Sequence, residues 1–225
     1  MFLLVDKSKG VTSHDVVNSV RKITGEKRVG HAGTLDPNAT GLLIIAVGRD
    51  STKKLDSLTN HASKTYLATL MLGEERDSDD IEGRVINKIE IDKINIPSSA
   101  KVVTVLNSFV GEQKQIPPIF SAIKVKGRKS YQLARKGNIV ELKPRTIMIH
   151  SIKLIDYEFP KLIIDCDVSS GTYIRAIARD VGRKLNMYGY LEDLRRTKIG
   201  DFKVDNAVDL HKLKTDNWIK YAIEL

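Results

Sequence analysis

The sequence predicts an α+β protein with a largely antiparallel mixed sheet flanked by helices. Segments with strand periodicity and segments with helix periodicity follow one another without strict alternation, a pattern that disfavours a doubly wound parallel sheet. The chain has 225 residues, of which 41% are hydrophobic, enough to bury a core and to exclude a disordered protein. We therefore expect a single domain over residues 1–225, with an insertion-like basic segment at about residues 111–150.

The first fifty residues predict a strand, a capped helix and a second strand. An apolar strand over residues 2–5 precedes Thr12 and Asp15, whose spacing is that of a capping box. Gly25 is expected to end the helix, in which apolar residues recur at helical spacing: Val16, Val17, Val20 and Ile23. A glycine-rich loop over residues 30–41 then leads into an apolar strand over residues 42–47.

The remaining residues alternate less regularly between the two periodicities. The predicted strands cover residues 66–72, 84–91, 147–155 and 162–168. Helices are expected near residues 102–110, over residues 174–185 after the turn at residues 171–173, and briefly after residue 206. Period-two alternation places on one strand face Tyr66, Ala68, Leu70 and Leu72, and on another Leu162, Ile164, Cys166 and Val168.

The basic charge is concentrated in one part of the chain. The whole sequence carries 37 Lys and Arg against 28 Asp and Glu, a formal net charge of +9. Residues 111–150 alone hold nine basic side chains against Glu112 and Glu141: Lys114, Lys124, Lys126, Arg128, Lys129, Arg135, Lys136, Lys143 and Arg145. Such a segment with interleaved Phe120 and Tyr131 favours contact with RNA, although a solvated basic surface is the plainer interpretation. The opposite segment, residues 74–82, holds six acids and is expected to be a solvated loop.

Several classes of site are excluded or disfavoured. No two histidines lie at the spacing of a helical metal pair, and no dinucleotide or phosphate-binding glycine motif occurs, so no metal or cofactor is expected. The single cysteine, Cys166, rules out a disulfide framework and is expected to be a buried structural thiol. The longest apolar run has six residues, too short for a membrane span, and we expect a cytoplasmic protein without a membrane partner.

Asp36 is the strongest candidate for a reactive side chain. An isolated Asp-Pro pair is usually a turn, but Asp36 lies inside a longer glycine-bounded segment, GHAGTLDPNATGLL at residues 30–43. This segment resembles the signature of the TruB family of pseudouridine synthases. Four further segments resemble motifs of the same family in the same order: KTY at residues 64–66, QIPPIFSAIK at residues 115–124, SGTYIR at residues 170–175 and LRRT at residues 194–197. The resemblance covers most of the chain, from about residue 4 to about residue 208.

The resemblance implies the pseudouridine synthase fold and an enzyme that isomerises a T-loop uridine of tRNA, at the position conventionally numbered 55. The nucleotide must be extruded from the folded RNA before its base can be detached, turned and rejoined. The implied catalytic residues are Asp36 as the carboxylate, Arg175 as the cation that keeps it ionised, and Tyr66 as the stacking face for the uracil. Without the resemblance, Arg175 is a surface arginine at a helix start and Tyr66 is a core or edge aromatic.

The resemblance also implies a set of substrate-binding residues. His31 fills the space left by extruded nucleotides, Leu194 closes the pocket, and Tyr173 partners the Asp36–Arg175 pair. Asp80 matches an aspartate that contacts the RNA or the base, although Asp77 and Asp79 are alternative alignments. The phosphate contacts are assigned to Lys64, Lys124, Arg128 and Arg196, and Lys126 is also expected to bind RNA.

Two features depart from the family pattern. Phe120 stands where the family usually has tyrosine, so no hydroxyl group can make a contact there. We also expect that the C-terminal RNA-binding PUA domain of many relatives is missing, which would leave more of the binding to the basic surface. The expected partner is the T-arm of tRNA, bound by a monomer with no obligate protein partner.

Two other functions remain open from the sequence. The first is a non-catalytic module that binds or folds tRNA. The second is a related synthase that acts on another RNA, such as a guide-dependent enzyme for ribosomal RNA. How Asp36 acts is also open, because attack at ribose C1′, addition to uracil C6 and elimination through a glycal all need a carboxylate.

Overall fold

The structure is a computed structural model that describes residues 1–90, 95–125, 127–134, 136 and 140–224. Lys126, predicted to bind RNA, lies outside the described residues, as does Arg135 of the basic segment. The helices are α1 (Ser13–Thr24), α2 (Arg49–Thr59), α3 (Ser99–Asn107), α4 (Ser130–Ala134) and α5 (Ile174–Lys184). No helix in these ranges is long and apolar enough to cross a membrane.

The strands alternate irregularly with these helices, as an α+β protein requires. In chain order they are β1 (Phe2–Lys7), β2 (Val29–Ala32), β3 (Thr40–Val47), β4 (Lys64–Leu72), β5 (Glu74–Arg76), β6 (Val85–Lys88), β7 (Gly111–Gln115), β8 (Lys124–Val125), β9 (Arg128–Lys129), β10 (Arg145–Glu158), β11 (Lys161–Val168), β12 (Gly189–Ile199), β13 (Phe202–Lys203), β14 (Val208–Asp209) and β15 (Ala222–Ile223). Short 3₁₀ turns near the end of the chain, such as Trp218–Tyr221, take the place of the predicted terminal helix.

The chain divides into two compact units. The first combines Met1–Leu67 with Leu194–Leu225, and the second is Ala68–Asp193. Two strands, β4 and β12, run through the points of division. The single domain expected for residues 1–225 stays a prediction.

The first unit is a mixed sheet that is buried on both faces. β1 pairs antiparallel with β3 and β15 and parallel with β14, while β3 pairs antiparallel with β2 and parallel with β12. Alternate residues of β1 and β3 enter two different cores: Leu3 and Ile45 pack with α1, and Phe2 and Ile44 pack with Leu55 of α2. This burial on both faces explains why residues 42–47 form an uninterrupted apolar run.

Helix α1 begins and ends at the predicted residues. The Thr12 hydroxyl accepts a hydrogen bond from the Asp15 backbone N–H at 3.1 Å, and the Asp15 carboxylate accepts one from the Thr12 N–H at 2.9 Å. Gly25 adopts φ 70°, a left-handed conformation that closes the helix without a Cβ penalty. The capping box therefore fixes the start of α1, and Gly25 fixes the point where the chain leaves the helix towards β2.

The second unit is built on a long antiparallel hairpin. β10 and β11 pair with Ile152 opposite Cys166, and β10 also pairs with β7 along its other edge. The predicted apolar face of β11 is buried, from Leu162 to Val168. Helix α3 packs on β10 and on α5, and two small hairpins, β5–β6 and β8–β9, complete the unit.

Candidate active site

Asp36 lies in the first unit, on the loop between β2 and β3. The backbone of this loop is closed by glycines with positive φ at both ends, Gly33 at 67° and Gly41 at 100°. Leu35 and Ala39 are buried on either side of the exposed Asp36. The loop therefore buries its apolar side chains and presents the carboxylate outward.

The Asp36 loop is held in place by residues near the start of the chain. The Ser13 hydroxyl accepts a hydrogen bond from the Leu35 N–H at 2.9 Å and donates one to the Leu35 carbonyl at 3.1 Å. The Gly10 N–H donates to the Pro37 carbonyl at 2.9 Å. These bonds fix both neighbours of Asp36, so the carboxylate is held in position by backbone that is already ordered.

Arg196 anchors the same loop from strand β12. Its side chain is 1% exposed, and it donates hydrogen bonds to the Leu42 and Gly33 carbonyls, both at 2.8 Å. A Cβ at Gly41 would lie 2.3 Å from the Arg196 carbonyl oxygen, so only glycine allows the two backbones to approach. The phosphate-binding role of Arg196 stays a prediction, while the structure shows its guanidinium buried and bound to carbonyl groups of its own chain.

Lys7 is a further anchor, which sequence reasoning missed. Its ammonium donates to the carbonyls of Val11 at 2.7 Å, Ser8 at 3.0 Å and Pro37 at 3.1 Å, and the residue is 1% exposed. Burial lowers the pKa of Lys7 to about 8, against the opposing attraction of the Asp36 carboxylate. A lysine at the end of a strand carries no sequence signal that distinguishes this role from an exposed one.

Tyr66 and Lys64 share the buried face of β4. Tyr66 is 8% exposed, and Lys64 is 6% exposed with its ammonium bonded to the Thr59 carbonyl at 2.7 Å and the Ala62 carbonyl at 3.0 Å. Burial lowers the pKa of Lys64 to about 8, and the positive charge of Arg196 acts in the same direction. The phosphate contact of Lys64 also stays a prediction, while the structure shows its ammonium bound to carbonyls at the end of α2 and just after it.

His31 and Leu194 lie on β2 and β12, two strands that pair with different parts of β3. His31 is half-buried on β2 opposite Ile45, and Leu194 is half-buried on β12, where its carbonyl accepts a hydrogen bond from the Thr40 hydroxyl at 3.4 Å. Leu194 therefore belongs to a strand and not to a helix or loop. With Asp36 and Tyr66, these residues form the part of the predicted site that the first unit carries.

Arg175 lies in the first turn of helix α5 in the second unit. It is 8% exposed, and its guanidinium donates to the Asp80 carboxylate at 3.2 Å, the Ser78 carbonyl at 3.3 Å and the Phe120 carbonyl at 3.1 Å. The structure thus brings together two of the predicted site residues, Arg175 and Asp80. Their contact and the Phe120 carbonyl tie the SGTYIR segment to the acidic segment and to the QIPPIFSAIK segment.

Two more arginines of α5 bind the acidic segment. Arg179 contacts the Asp79 carboxylate at 2.7 Å, and Arg183 contacts Glu75 at 2.6 Å and 3.0 Å. Residues four apart lie on one face of a helix, so Arg175, Arg179 and Arg183 form a row of cations along α5. Glu75 is 3% exposed and Asp79 is 6% exposed, which corrects the prediction of a solvated acidic loop.

Asp79, the partner of Arg179, combines an unusual backbone conformation with burial. Its backbone has φ 63°, the left-handed region that few non-glycine residues adopt. Burial raises the pKa of Asp79 to about 6, although the nearby guanidinium groups of Arg179 and Arg175 oppose the shift. The isolated bridge between Asp80 and Leu191 of β12 holds the next residue of the segment.

Tyr173 is fixed by Gln115 at the first residue of the QIPPIFSAIK segment. The Gln115 side chain accepts a hydrogen bond from the Tyr173 N–H at 2.9 Å and donates one to the Tyr173 carbonyl at 3.1 Å. Gln115 is 4% exposed, so this amide pairing is shielded from water. The sequence does not predict this pairing, because nothing in a linear pattern links a glutamine to backbone groups 58 residues away.

Lys124 and Arg128 face solvent on the small hairpin formed by β8 and β9. Lys124 pairs with Lys129, and Val125 with Arg128, in the register of this hairpin. The side chains of Lys124 and Arg128 are both exposed. Their role as phosphate contacts stays a prediction, as does the pairing of Asp36 in the first unit with Arg175 in the second.

A metal site and a reactive cysteine have little support in the described part of the chain. These residues contain no cluster of three or more His, Cys, Asp or Glu side chains that could hold a metal ion. Cys166 is fully buried on β11, and burial raises the pKa of its thiol, which disfavours a reactive thiolate.

Family models match nearly the whole sequence. The model described as the N-terminal domain of TruB family pseudouridylate synthases matches residues 21–174, and the tRNA pseudouridylate synthase B C-terminal domain matches residues 175–223. The chain belongs to the TruB family. The predicted fold class and the resemblance carried by the five motifs are therefore confirmed.

Individual TruB-family proteins are similar along most of the chain. A tRNA pseudouridine synthase B of Prochlorococcus marinus is 44% identical over 96% of this chain and 68% of its own length. One of Caldanaerobacter subterraneus is 41% identical over 99% of this chain and 80% of its own length. A solved structure of a Cbf5-Nop10-Gar1 complex contains a chain with a TM-score of 0.71 and 28% identity. The present chain covers 56% of that larger chain, with 99% of its own residues aligned.

Proposed function

We propose that this TruB-family protein converts a uridine in the T-loop of tRNA, at the position conventionally numbered 55, to pseudouridine. The observation that carries the proposal is the Asp36 loop, which presents an exposed carboxylate on a backbone held by Ser13, Gly10 and Arg196. The similarity to proteins named tRNA pseudouridine synthase B supports tRNA as the substrate.

The proposed reaction breaks the bond from uracil N1 to ribose C1′ and forms a bond from uracil C5 to the same carbon. The uridine must leave the stacked T-loop to do so, because its base has to turn before it is rejoined. The reaction is an isomerisation, so it consumes no oxidant, reductant or activated donor. It requires a placed carboxylate, a surface for the detached base and exclusion of water.

In this proposal, Asp36 supplies the carboxylate and Tyr66 the stacking surface. Arg175 is the cation that favours the ionised form of Asp36, and Asp80 and Tyr173 orient the start of α5 and the bound base. His31 and Leu194 occupy the space around the extruded nucleotide. The three possible routes, through ribose C1′, uracil C6 or a glycal, all use the same carboxylate.

The proposed partner surface is basic and exposed. Lys124 and Arg128 would contact phosphates of the T-arm, which contributes affinity and salt dependence without choosing a sequence. Phe120 would contact the RNA without the hydroxyl group of the usual tyrosine. The carbonyl of Phe120 still binds Arg175, so the substitution leaves that backbone contact intact.

The test is the substitution Asp36→Asn, assayed on unmodified tRNA by chemical mapping of pseudouridine. We expect turnover to be abolished while the dissociation constant for tRNA changes little, because the change removes a charge but almost no volume. Asp50→Asn is the matched control, since the Asp50 side chain is 93% exposed on α2 and should leave turnover unchanged.

The wild-type protein decides between the three functions considered. Modification of the T-loop in whole tRNA and in a T-arm hairpin supports the proposal. Tight binding without any pseudouridine would indicate a non-catalytic RNA-binding module. Modification of a ribosomal RNA fragment in preference to tRNA would indicate a synthase for another RNA.

A further inference from the structure

A cationic cleft lies on the first unit, apart from the Asp36 loop. Its volume is about 490 Å³, and it is formed by the end of α1, the residues that lead into and begin β2, and the first two turns of α2. The lining residues are Arg21, Lys27, Arg28, Val29, Gly30, Thr52 and Leu55. None of these residues takes part in the proposed isomerisation.

The charge of the cleft is uniformly positive. Three of its seven lining residues are cations and none is an acid. The Glu26 carboxylate lies nearby, but it accepts its hydrogen bond from the Arg28 backbone N–H at 2.9 Å. Among the ion pairs of the described residues, none involves Lys27 or Arg28, both of which are exposed.

One cation of the cleft is held rigidly. The Arg21 guanidinium donates to the Asn18 side chain at 3.0 Å and to the Val29 carbonyl at 3.1 Å, so neutral groups fix it without cancelling its charge. An arginine fixed in this way loses little side-chain freedom when an anion binds beside it.

Glycine keeps the cleft open. A Cβ at Gly30 would lie 3.3 Å from a Leu55 methyl carbon and 3.5 Å from the Thr52 methyl carbon, so a side chain there would fill the space between β2 and α2. The backbone of β2 is therefore accessible at this position.

We propose that this cleft binds a phosphodiester group in the backbone of the RNA substrate. Guanidinium groups suit phosphate oxygens, and the cleft offers two of them with one ammonium. Arg28 lies three residues before His31, about 10 Å along the chain at strand spacing. A phosphate bound there would belong to a nucleotide near the one that is extruded. This inference rests on the proposed function, because it takes RNA to be the substrate.

The experiment measures tRNA affinity as a function of salt for the double variant Lys27→Ala, Arg28→Ala. We expect the slope of log affinity against log salt to flatten by about 1 for each phosphate that is no longer neutralised, with several-fold weaker binding near physiological salt. The rate constant at saturating tRNA should not change, since neither residue belongs to the catalytic site.

Lys22→Ala provides the matched control. Lys22 is exposed on α1 next to Arg21 but does not line the cleft. Its removal should leave the salt slope close to that of the wild type. If the single variants Lys27→Ala and Arg28→Ala each flattened the slope no more than Lys22→Ala does, the effect would be general surface charge and the proposal would be overturned.

Inorganic phosphate separates the two sources of the anion. NMR titrations of the wild type and the double variant with inorganic phosphate, followed by chemical shifts, report whether the free anion binds. Loss of phosphate binding with unchanged tRNA affinity would mean that the cleft takes a small anion instead of RNA, which also overturns the proposal. A wild-type protein that binds tRNA through the cleft but forms no pseudouridine would contradict the proposed function alone.

Discussion

Asp79 shows how a single residue can be constrained by opposing forces. Its left-handed backbone turns the acidic segment so that Asp79 meets Arg179 and Asp80 meets Arg175. The same burial that excludes water from the Asp79–Arg179 pair disfavours a charged carboxylate, and it raises the pKa of Asp79 to about 6. The pair is therefore sensitive to pH in a range where ordinary aspartates remain ionised.

This shift predicts how stability depends on pH. The pKa of Asp79 is near 6 in the folded protein, above its ordinary value of 3.8, so the folded chain takes up a proton first as the pH falls. Asp79 should therefore add to the free energy of unfolding as the pH falls from 7.5 to 5. Urea denaturation of the wild type and Asp79→Asn across this range measures the difference. A difference that shrank in acid would show that the Arg179 ion pair dominates the pKa.

The sequence marks Asp36 as a candidate more clearly than it marks buried cations. Asp36 stands out because the glycines and the proline around it form a long, specific pattern. Lys64, Arg196 and Lys7 do not, because lysine and arginine are mostly exposed and nothing in a linear sequence marks a backbone carbonyl as their partner. The resemblance to the family implies phosphate roles for Lys64 and Arg196, which stay predictions, whereas the structure shows both side chains buried on backbone carbonyls.

At the scale of secondary-structure elements, Gly41 sets the distance between two strands. It lies opposite Arg196 where β3 and β12 pair in parallel, with φ 100°. The backbone of Arg196 occupies the space where a side chain at Gly41 would stand. The pairing of β3 with β12 depends on this glycine, and so does the position of Arg196, which anchors the Asp36 loop.

Gly41→Ala should therefore destabilise the protein more than an alanine at a comparable glycine. Gly48 has φ 93°, and a Cβ added there would have no atom within 4 Å, so Gly48→Ala isolates the backbone penalty, about 1–3 kcal/mol. Gly41→Ala adds the steric conflict with Arg196 to a similar penalty. Thermal and urea unfolding of both variants measure the comparison; equal losses of stability would mean that the strands move apart freely.

The predicted elements agree with the structure where the apolar pattern is strong. Strands β3 and β11 and helix α1 have uninterrupted or regularly spaced apolar residues, and their positions were predicted within a few residues. Helix α2 was missed because most of its residues are polar and only Leu55 is a buried aliphatic side chain. The later part of β12 is rich in charged residues, so tertiary pairing and not local preference makes it a strand.

At the scale of the whole molecule, the net charge of +9 is a poor guide to which cations meet RNA. Lys64 and Lys124 contribute the same charge, yet one is 6% exposed and the other lies exposed on a hairpin. Only a cation that reaches phosphate releases counterions when RNA binds.

Lys124→Ala and Lys64→Met should therefore change different quantities: the first the salt dependence of tRNA binding, the second the stability of the fold. Lys124→Ala is expected to flatten the salt slope of tRNA binding by about 1 and to leave the unfolding free energy unchanged. Lys64→Met should keep the slope and alter stability, because it leaves the Thr59 and Ala62 carbonyls without their donor. Filter-binding titrations at several salt concentrations, together with urea unfolding, separate the two. A flattened slope for Lys64→Met would instead support its predicted phosphate contact.

The overall class was predictable because irregular alternation of strands and helices is a property of the entire sequence. The composition of the two units was not, since the first joins residues 1–67 to residues 194–225. No composition change marks these boundaries, and two strands continue through them. Only long-range contacts reveal that both parts of the chain build one sheet.

The hydrogen bond from the Arg196 guanidinium to the Gly33 carbonyl joins residues 163 positions apart. A ribosome adding about 5–20 residues per second needs roughly 8–30 s to make the intervening stretch. Throughout that interval the nascent chain already carries Asp36 but lacks the guanidinium that closes the loop around it. The Asp36 loop must accordingly gain this hydrogen bond late in biosynthesis, after most of the polypeptide has been made.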